Sequence, residues 1–214
     1  MQTRGHRFQT ATTRQQMNDR VFKHTHAHKL EDPDRLKWLP PTEVLSRLHL
    51  AEGTRVADIG AGTGYFAIPM AAAVGGAGQV LAVDLQQEML DLLRQKLERA
   101  DTPKNISLHS GSASQLPLAD NSVNIAFYAN IWHELDDANS AFREAARIAV
   151  AGGSIAILDW RRDKESPPGP PQEHRISAED VMSFLQTEGC HRVVCYNIGA
   201  FSYMVTAELP PAQS

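Results

Sequence analysis

Apolar positions along this chain fall into two alternating kinds of segment. Short apolar-rich runs occupy 54–59, 79–84, 105–109, 123–129 and 154–160, as strands buried inside a sheet do. Between them lie segments with apolar residues three and four apart, at 42–49, 64–74, 86–100, 137–149 and 177 to about 188. In 86–100, Met89, Leu92, Leu93 and Leu97 share one helical face. The boundaries carry matching signals. Pro41 and Glu43 suit a helix start, glycines at 75–78 and at 152–153 follow helical segments, and Ser177 precedes Glu179 and Asp180 as an N-cap. Strand alternating with helix predicts a parallel sheet covered on both faces. The last two β runs, 191–197 and 201–208, have only a short turn around Gly199 between them, so the final strand should run antiparallel. The expected architecture is a three-layer α/β sandwich around a seven-stranded, mostly parallel sheet.

With 214 residues, one domain of 42–209 is expected, preceded by a basic arm or lid at 1–41 and followed by a tail at 210–214. The net charge is −4, but residues 1–37 carry eight Lys/Arg against four Asp/Glu. The acidic body argues against nucleic acid as a partner. The arm reads either as a solvated basic segment or as a strap over an acidic crevice. Cys190 and Cys195 fit no CxxC motif, no apolar run is long enough for a membrane span, and no signal-peptide centre is visible. A cytoplasmic protein is the default expectation; the oligomeric state is not legible.

The chemistry concentrates at Val56-Ala57-Asp58-Ile59-Gly60-Ala61-Gly62-Thr63-Gly64-Tyr65-Phe66. A strand ending in such a loop and feeding a helix makes a Rossmann-like nucleotide crevice. Gly62 to Ala67 satisfies G-x-G-x-x-G/A, with Asp84 at a plausible distance for a ribose. That match leaves an NAD(P)-dependent oxidoreductase open. Asp58, however, stands at the mouth of the crevice, where it repels a pyrophosphate and attracts an amino group and a sulfonium. Acids or amides also end the other strands, at Asp84, Asn130 and Asp159, with Gly111-Ser112-Ala113 after the third.

The pattern Asp-x-Gly-x-Gly-x-Gly resembles the first motif of class I S-adenosylmethionine-dependent methyltransferases. Leu116-Pro117-Leu118-Ala119-Asp120 is similar to the loop before strand four in ubiquinone- and menaquinone-type members. Ala27-His28-Lys29-Leu30-Glu31-Asp32-Pro33, Ile131-Trp132-His133-Glu134-Leu135 and Leu158-Asp159-Trp160 extend the resemblance to a branch of the methyltransferase type 11 group, over about 24–206. The resemblance implies S-adenosyl-L-methionine as cofactor. It also implies that Asp58, Gly60, Gly62, Gly64, Tyr65, Asp84, Leu85, Ser112, Ala113 and Asn130 line its site. Ser112 departs from the acidic residue usual for the adenine contact.

Methyl transfer to a small-molecule acceptor needs an in-line arrangement and, where the acceptor loses a proton, a base. His133 reads as that base or as a histidine hydrogen-bonded at a helix start, and Asp159 as a group that orients the acceptor or as a cap on the next turn. His28 and Trp38 are candidate substrate-lid residues. Arg175 is a candidate anion clamp or a surface arginine, and Tyr203 a substrate contact or core packing. His24, His26 and His28 lack a completing ligand, so no metal is expected. A non-catalytic cofactor-binding protein is the remaining alternative.

Overall fold

The computed structural model describes residues 22–164 and 169–210. Residues 1–21 of the basic arm, residues 165–168 and the last four residues of the expected tail lie outside the described residues. Seven strands form one sheet: β1 (Arg55–Ile59), β2 (Gln79–Asp84), β3 (Ile106–Ser110), β4 (Val123–Ala129), β5 (Ala149–Trp160), β6 (His191–Ile198) and β7 (Ser202–Glu208). Their order is β3-β2-β1-β4-β5-β7-β6. β1 to β5 pair in parallel, and β7 lies antiparallel between β5 and β6. The order therefore reverses beside β1, between it and β4, and the carboxyl ends of those two strands face the switch-point crevice.

Strand side chains alternate between two apolar layers. Val56, Val80 and Ala82 pack with Val44 and Leu48 of α2 (Pro41–Leu48) and Met70 of α3 (Ala67–Ala73), the single turn α1 (Arg35–Trp38) lying just before them. Leu93 of α4 (Gln87–Leu97) joins that layer. On the opposite face Ala57, Ile59 and Val83 pack with Phe142 and Ile148 of α5 (Ala138–Ile148) and Val181 and Leu185 of α6 (Ala178–Thr187).

Most boundaries shift by one to three residues from the sequence reading, and two of the differences have a plain structural cause. The helix expected at 64–74 starts at Ala67, because Gly64 has φ +87° and cannot belong to a right-handed helix. β5 begins at Ala149 rather than 154: Ala149 pairs with Val123, and the register shifts before Ile125 meets Ser154. Gly152-Gly153 thus lies inside a bent strand and does not stop the preceding helix, which ends at Ile148. A strand partner contributed from elsewhere in the chain outweighs a local glycine signal here.

Candidate active site at the strand ends

The glycine loop is pinned to β2. The Gly60 and Ala61 amides donate to the Val83 carbonyl at 2.8 and 3.0 Å, and the Gly62 amide donates to Asp84 Oδ2 at 2.8 Å. A Cβ at Gly60 would lie 2.6 Å from Ile131 Cγ2, and one at Gly64 2.3 Å from Leu93 Cδ1. With φ of +77° at Gly60 and +87° at Gly64, the left-handed backbone favours glycine at these two positions, and the crowding adds to it. Tyr65, next in the chain, donates its hydroxyl to the Leu39 carbonyl at 2.6 Å.

Asp58 is 1% exposed, and its Oδ2 has no hydrogen-bond partner. Burial, the nearby Asp84 charge and only partial relief from the Ala67 amide and Arg35 push its carboxyl up to about 7. Asp84 is also raised by burial, against backbone amides that favour its charged form. Beyond Gly62, Asp84 Oδ1 accepts the Gln86 amide at 2.8 Å. Asn130 has φ +58° at the end of β4, and its Oδ1 is buried and unpartnered. Leu85, beside Asp84, presents an exposed apolar side chain. Ser112 exchanges a 3.2 Å hydrogen bond with Ser114, and Ala113 packs against the core.

His133 and Asp159 form a buried pair. Asp159, fully buried, is the penultimate residue of β5. Its Oδ1 lies 2.7 Å from His133 Nδ1 and accepts the Trp160 amide at 2.8 Å, while its Oδ2 accepts the His133 amide at 3.0 Å. An ionised Asp159 places the imidazole proton on Nδ1 and leaves Nε2 as the basic nitrogen. Burial lowers the His133 pKa, but the charge and hydrogen bond of Asp159 prevail, so it stands above the usual imidazole value. Nε2 is 3.8 Å from Glu134 Oε1. Burial pushes Glu134 up to about 7.

The segment from Phe22 to Trp38 lies over this site as a strap, beginning with a 3-10 helix (His24–Glu31). The Phe22 amide donates to Glu134 Oε1 at 3.2 Å, and Gln86 Nε2 donates to the Phe22 carbonyl at 2.7 Å. Glu31 accepts from Thr63 Oγ1 at 2.5 Å and from Lys96 Nζ at 2.6 Å, which ties the strap to the glycine loop and α4. Arg35 is buried with its guanidinium carbon 3.8 Å from the Tyr65 ring centroid.

The candidate substrate residues do not converge equally. Trp38 packs its ring 5.4 Å from that of Trp160, next to Asp159. His28 is exposed on the strap. Arg175 is 5% exposed and donates to the carbonyls of Pro170, Arg161 and Lys164. It organises the loop after β5, and is not a surface arginine. Tyr203 is a core residue whose hydroxyl donates to the Ile176 carbonyl at 3.1 Å, with burial raising its pKa. The His24, His26 and His28 side chains do not join a group of metal-ligating residues among those described. Sequence reasoning missed Glu31, Arg35, Gln86 and Glu134 as parts of the site. Glu31 and Glu134 lie within the quoted motifs without a role read for them, and the signal for Arg35 was the opposition of a basic arm to an acidic crevice.

Orphaned acceptor atoms on Asp58 and Asn130, with a second carboxylate at Asp84, fit a ligand bearing an ammonium and ribose hydroxyls. They oppose a pyrophosphate. A seven-stranded sheet with an inserted antiparallel strand and this acidic crevice defines the class I methyltransferase architecture.

The comparisons agree. A family model described as a methyltransferase domain matches residues 56–153. A solved S-adenosylmethionine-dependent methyltransferase from Aquifex aeolicus is 32% identical, with a TM-score of 0.83, covering 89% of this chain and all of that one. A demethylmenaquinone methyltransferase of Listeria welshimeri is 33% identical over 124 residues, 58% of this chain and 51% of the relative. An uncharacterized methyltransferase of Mycobacterium bovis is 36% identical over 132 residues, 62% of this chain and 46% of the relative. The chain belongs to the S-adenosylmethionine-dependent methyltransferases, and S-adenosyl-L-methionine is its cofactor. The matches span about half the length of those curated relatives. Neither the oxidoreductase nor the non-catalytic alternative is favoured. No helix among the described residues is long and apolar enough to cross a membrane.

Proposed function

We propose that this protein methylates a small-molecule acceptor that gives up a proton as it reacts, with His133 as the base. The observation that carries the reading is the buried His133–Asp159 pair at the ends of β4 and β5, in the same row of strand ends as Asp58 and Asp84. The cofactor supplies an activated methyl on a sulfonium, which departs as a neutral thioether.

In this reading Asp58 takes the amino group of the methionine end, Asp84 the ribose hydroxyls, and Leu85 one face of the adenine. Ser112, Ala113 and Asn130 complete the wall of the crevice. His133 Nε2 accepts the acceptor's proton, and Asp159 holds the imidazole tautomer and stabilises the imidazolium. The strap, with Trp38 and Trp160 at its end, excludes water. The names of the menaquinone-type relatives make phenols and quinols the first acceptors to test. A hydroxyl on such a ring has a proton within reach of an imidazole base.

Calorimetry with S-adenosylhomocysteine tests the cofactor half of this proposal, and methyl release from labelled S-adenosylmethionine tests the rest. Binding should release protons near pH 6.5. Asp58, pushed up to about 7 in the free protein, is largely protonated there, and a ligand ammonium against it favours the carboxylate. Titrations in buffers of different ionisation heat read that release directly. Binding of NADH without S-adenosylhomocysteine would sink the proposal.

A further inference from the structure

We infer that Arg35 holds the α-carboxylate of the cofactor's methionine end, so that the amino-acid group is gripped between Arg35 on the strap and Asp58 at the end of β1. This rests on the reading of Asp58 as the partner of the amino group. Arg35 lies outside the segment that the family model matches, residues 56–153.

Arg35 is 7% exposed, which is expensive for a guanidinium without acceptors. Its NH1 donates to the Leu30 carbonyl at 3.2 Å, and its Nε is buried with no partner. The Tyr65 ring at 3.8 Å covers one face of the guanidinium. Stacking of this kind uses the π face and leaves the N–H edge for in-plane hydrogen bonds. Neither nearby carboxylate neutralises it directly: Glu31 is held by Thr63 and Lys96, and Asp58 forms no ion pair with Arg35 within 4.0 Å.

Arg35 and Asp58 nonetheless feel each other's charge, each favouring the other's ionised form. Two buried groups of opposite sign, each with an orphaned polar atom, thus stand near one glycine loop. A zwitterion with its carboxylate toward Arg35 and its ammonium toward Asp58 satisfies both at once. The planar guanidinium fork matches a carboxylate. Leu30, whose carbonyl Arg35 holds, has its Cδ1 3.5 Å from where a Cβ on Gly62 would stand. The same arginine therefore couples occupancy of the amino-acid end to closure of the strap.

The test compares two ligands by calorimetry: S-adenosylhomocysteine, and 5′-methylthioadenosine, which lacks the amino-acid group. Arg35→Gln should weaken the first roughly 10–100-fold and leave the second unchanged. Arg35→Lys should recover part of the loss. The methyl ester of S-adenosylhomocysteine on unaltered protein should show a comparable deficit, independently of how well any variant folds. Equal losses for both ligands in Arg35→Gln would mean that the arginine only secures the strap, and would overturn the proposal. So would an ester that binds as tightly as the acid. Failure of the unaltered protein to bind S-adenosylhomocysteine while binding methylthioadenosine would overturn the amino-acid site as a whole, Asp58 included. Binding of neither would overturn the cofactor reading on which both rest.

Discussion

Replacing His133 with glutamine is expected to slow methyl transfer about 10²–10⁴-fold, the range usual for loss of a general base, with S-adenosylhomocysteine affinity unchanged. Glutamine is close to histidine in size and can still donate to Asp159, but its amide does not accept a proton at neutral pH. The loss would therefore isolate proton abstraction from packing. Unaltered protein should show activity rising with pH on a limb above the ordinary imidazole value, because Asp159 outweighs burial in setting the His133 pKa. Asp159→Asn removes the charge responsible and should move that limb to lower pH as well as reduce kcat. The same shift has a consequence for stability. A histidine whose folded pKa is raised stabilises the fold fully below its unfolded pKa, and this contribution fades as pH rises through the folded value. Denaturant titrations should accordingly show a larger deficit for His133→Gln at pH 6 than at pH 8. Full activity in His133→Gln on an acceptor found by methyl release would refute the base assignment.

Asp84→Ala should weaken S-adenosylhomocysteine binding roughly 10²–10⁴-fold. Two charge-assisted hydrogen bonds to ribose hydroxyls are worth about 1.5–3 kcal/mol each, and every 1.4 kcal/mol is about tenfold in affinity. The carboxylate also receives the Gly62, Leu85 and Gln86 amides, so its removal loosens the loop that frames the site. Asp84→Asn keeps one acceptor oxygen and should lose less. Calorimetry on both variants, with denaturation curves to confirm folding, checks the prediction. A folded Asp84→Ala protein that binds as tightly as the unaltered one would reduce Asp84 to a loop fastener.

Much of this site was legible because its parts lie where local patterns end. An apolar run closing on an acid marks a buried strand reaching the sheet's carboxyl edge, and the bounds read for β2 and β4 coincide with those observed. Asp58, Asp84 and Asn130 therefore stood out in the one-dimensional pattern, as did Asp159 at the close of β5. His133 stood out because it follows the end of β4 by only a few residues. The glycine loop was equally plain, although the reason for its glycines was not. Gly60 and Gly64 hold left-handed backbone and sit against Ile131 and Leu93, which are distant in sequence and invisible to a motif.

What the sequence by itself determined was the alternation of elements, the antiparallel last strand, the crevice and its acidic character, since these follow from periodicity, turn residues and charge within a few neighbouring positions. Only the tertiary structure decided which histidine environment was real. The pairing of His133 with Asp159 spans 26 residues and exists because β4 and β5 are neighbours in the sheet. Tertiary structure likewise extended β5 back to Ala149, turned Arg175 inward onto loop carbonyls and drew the strap across the site. Hydrogen bonds such as Phe22 to Glu134, 112 residues apart, and Glu31 to Thr63, 32 apart, leave no periodic trace. Each depends on a surface that forms only after the sheet has assembled.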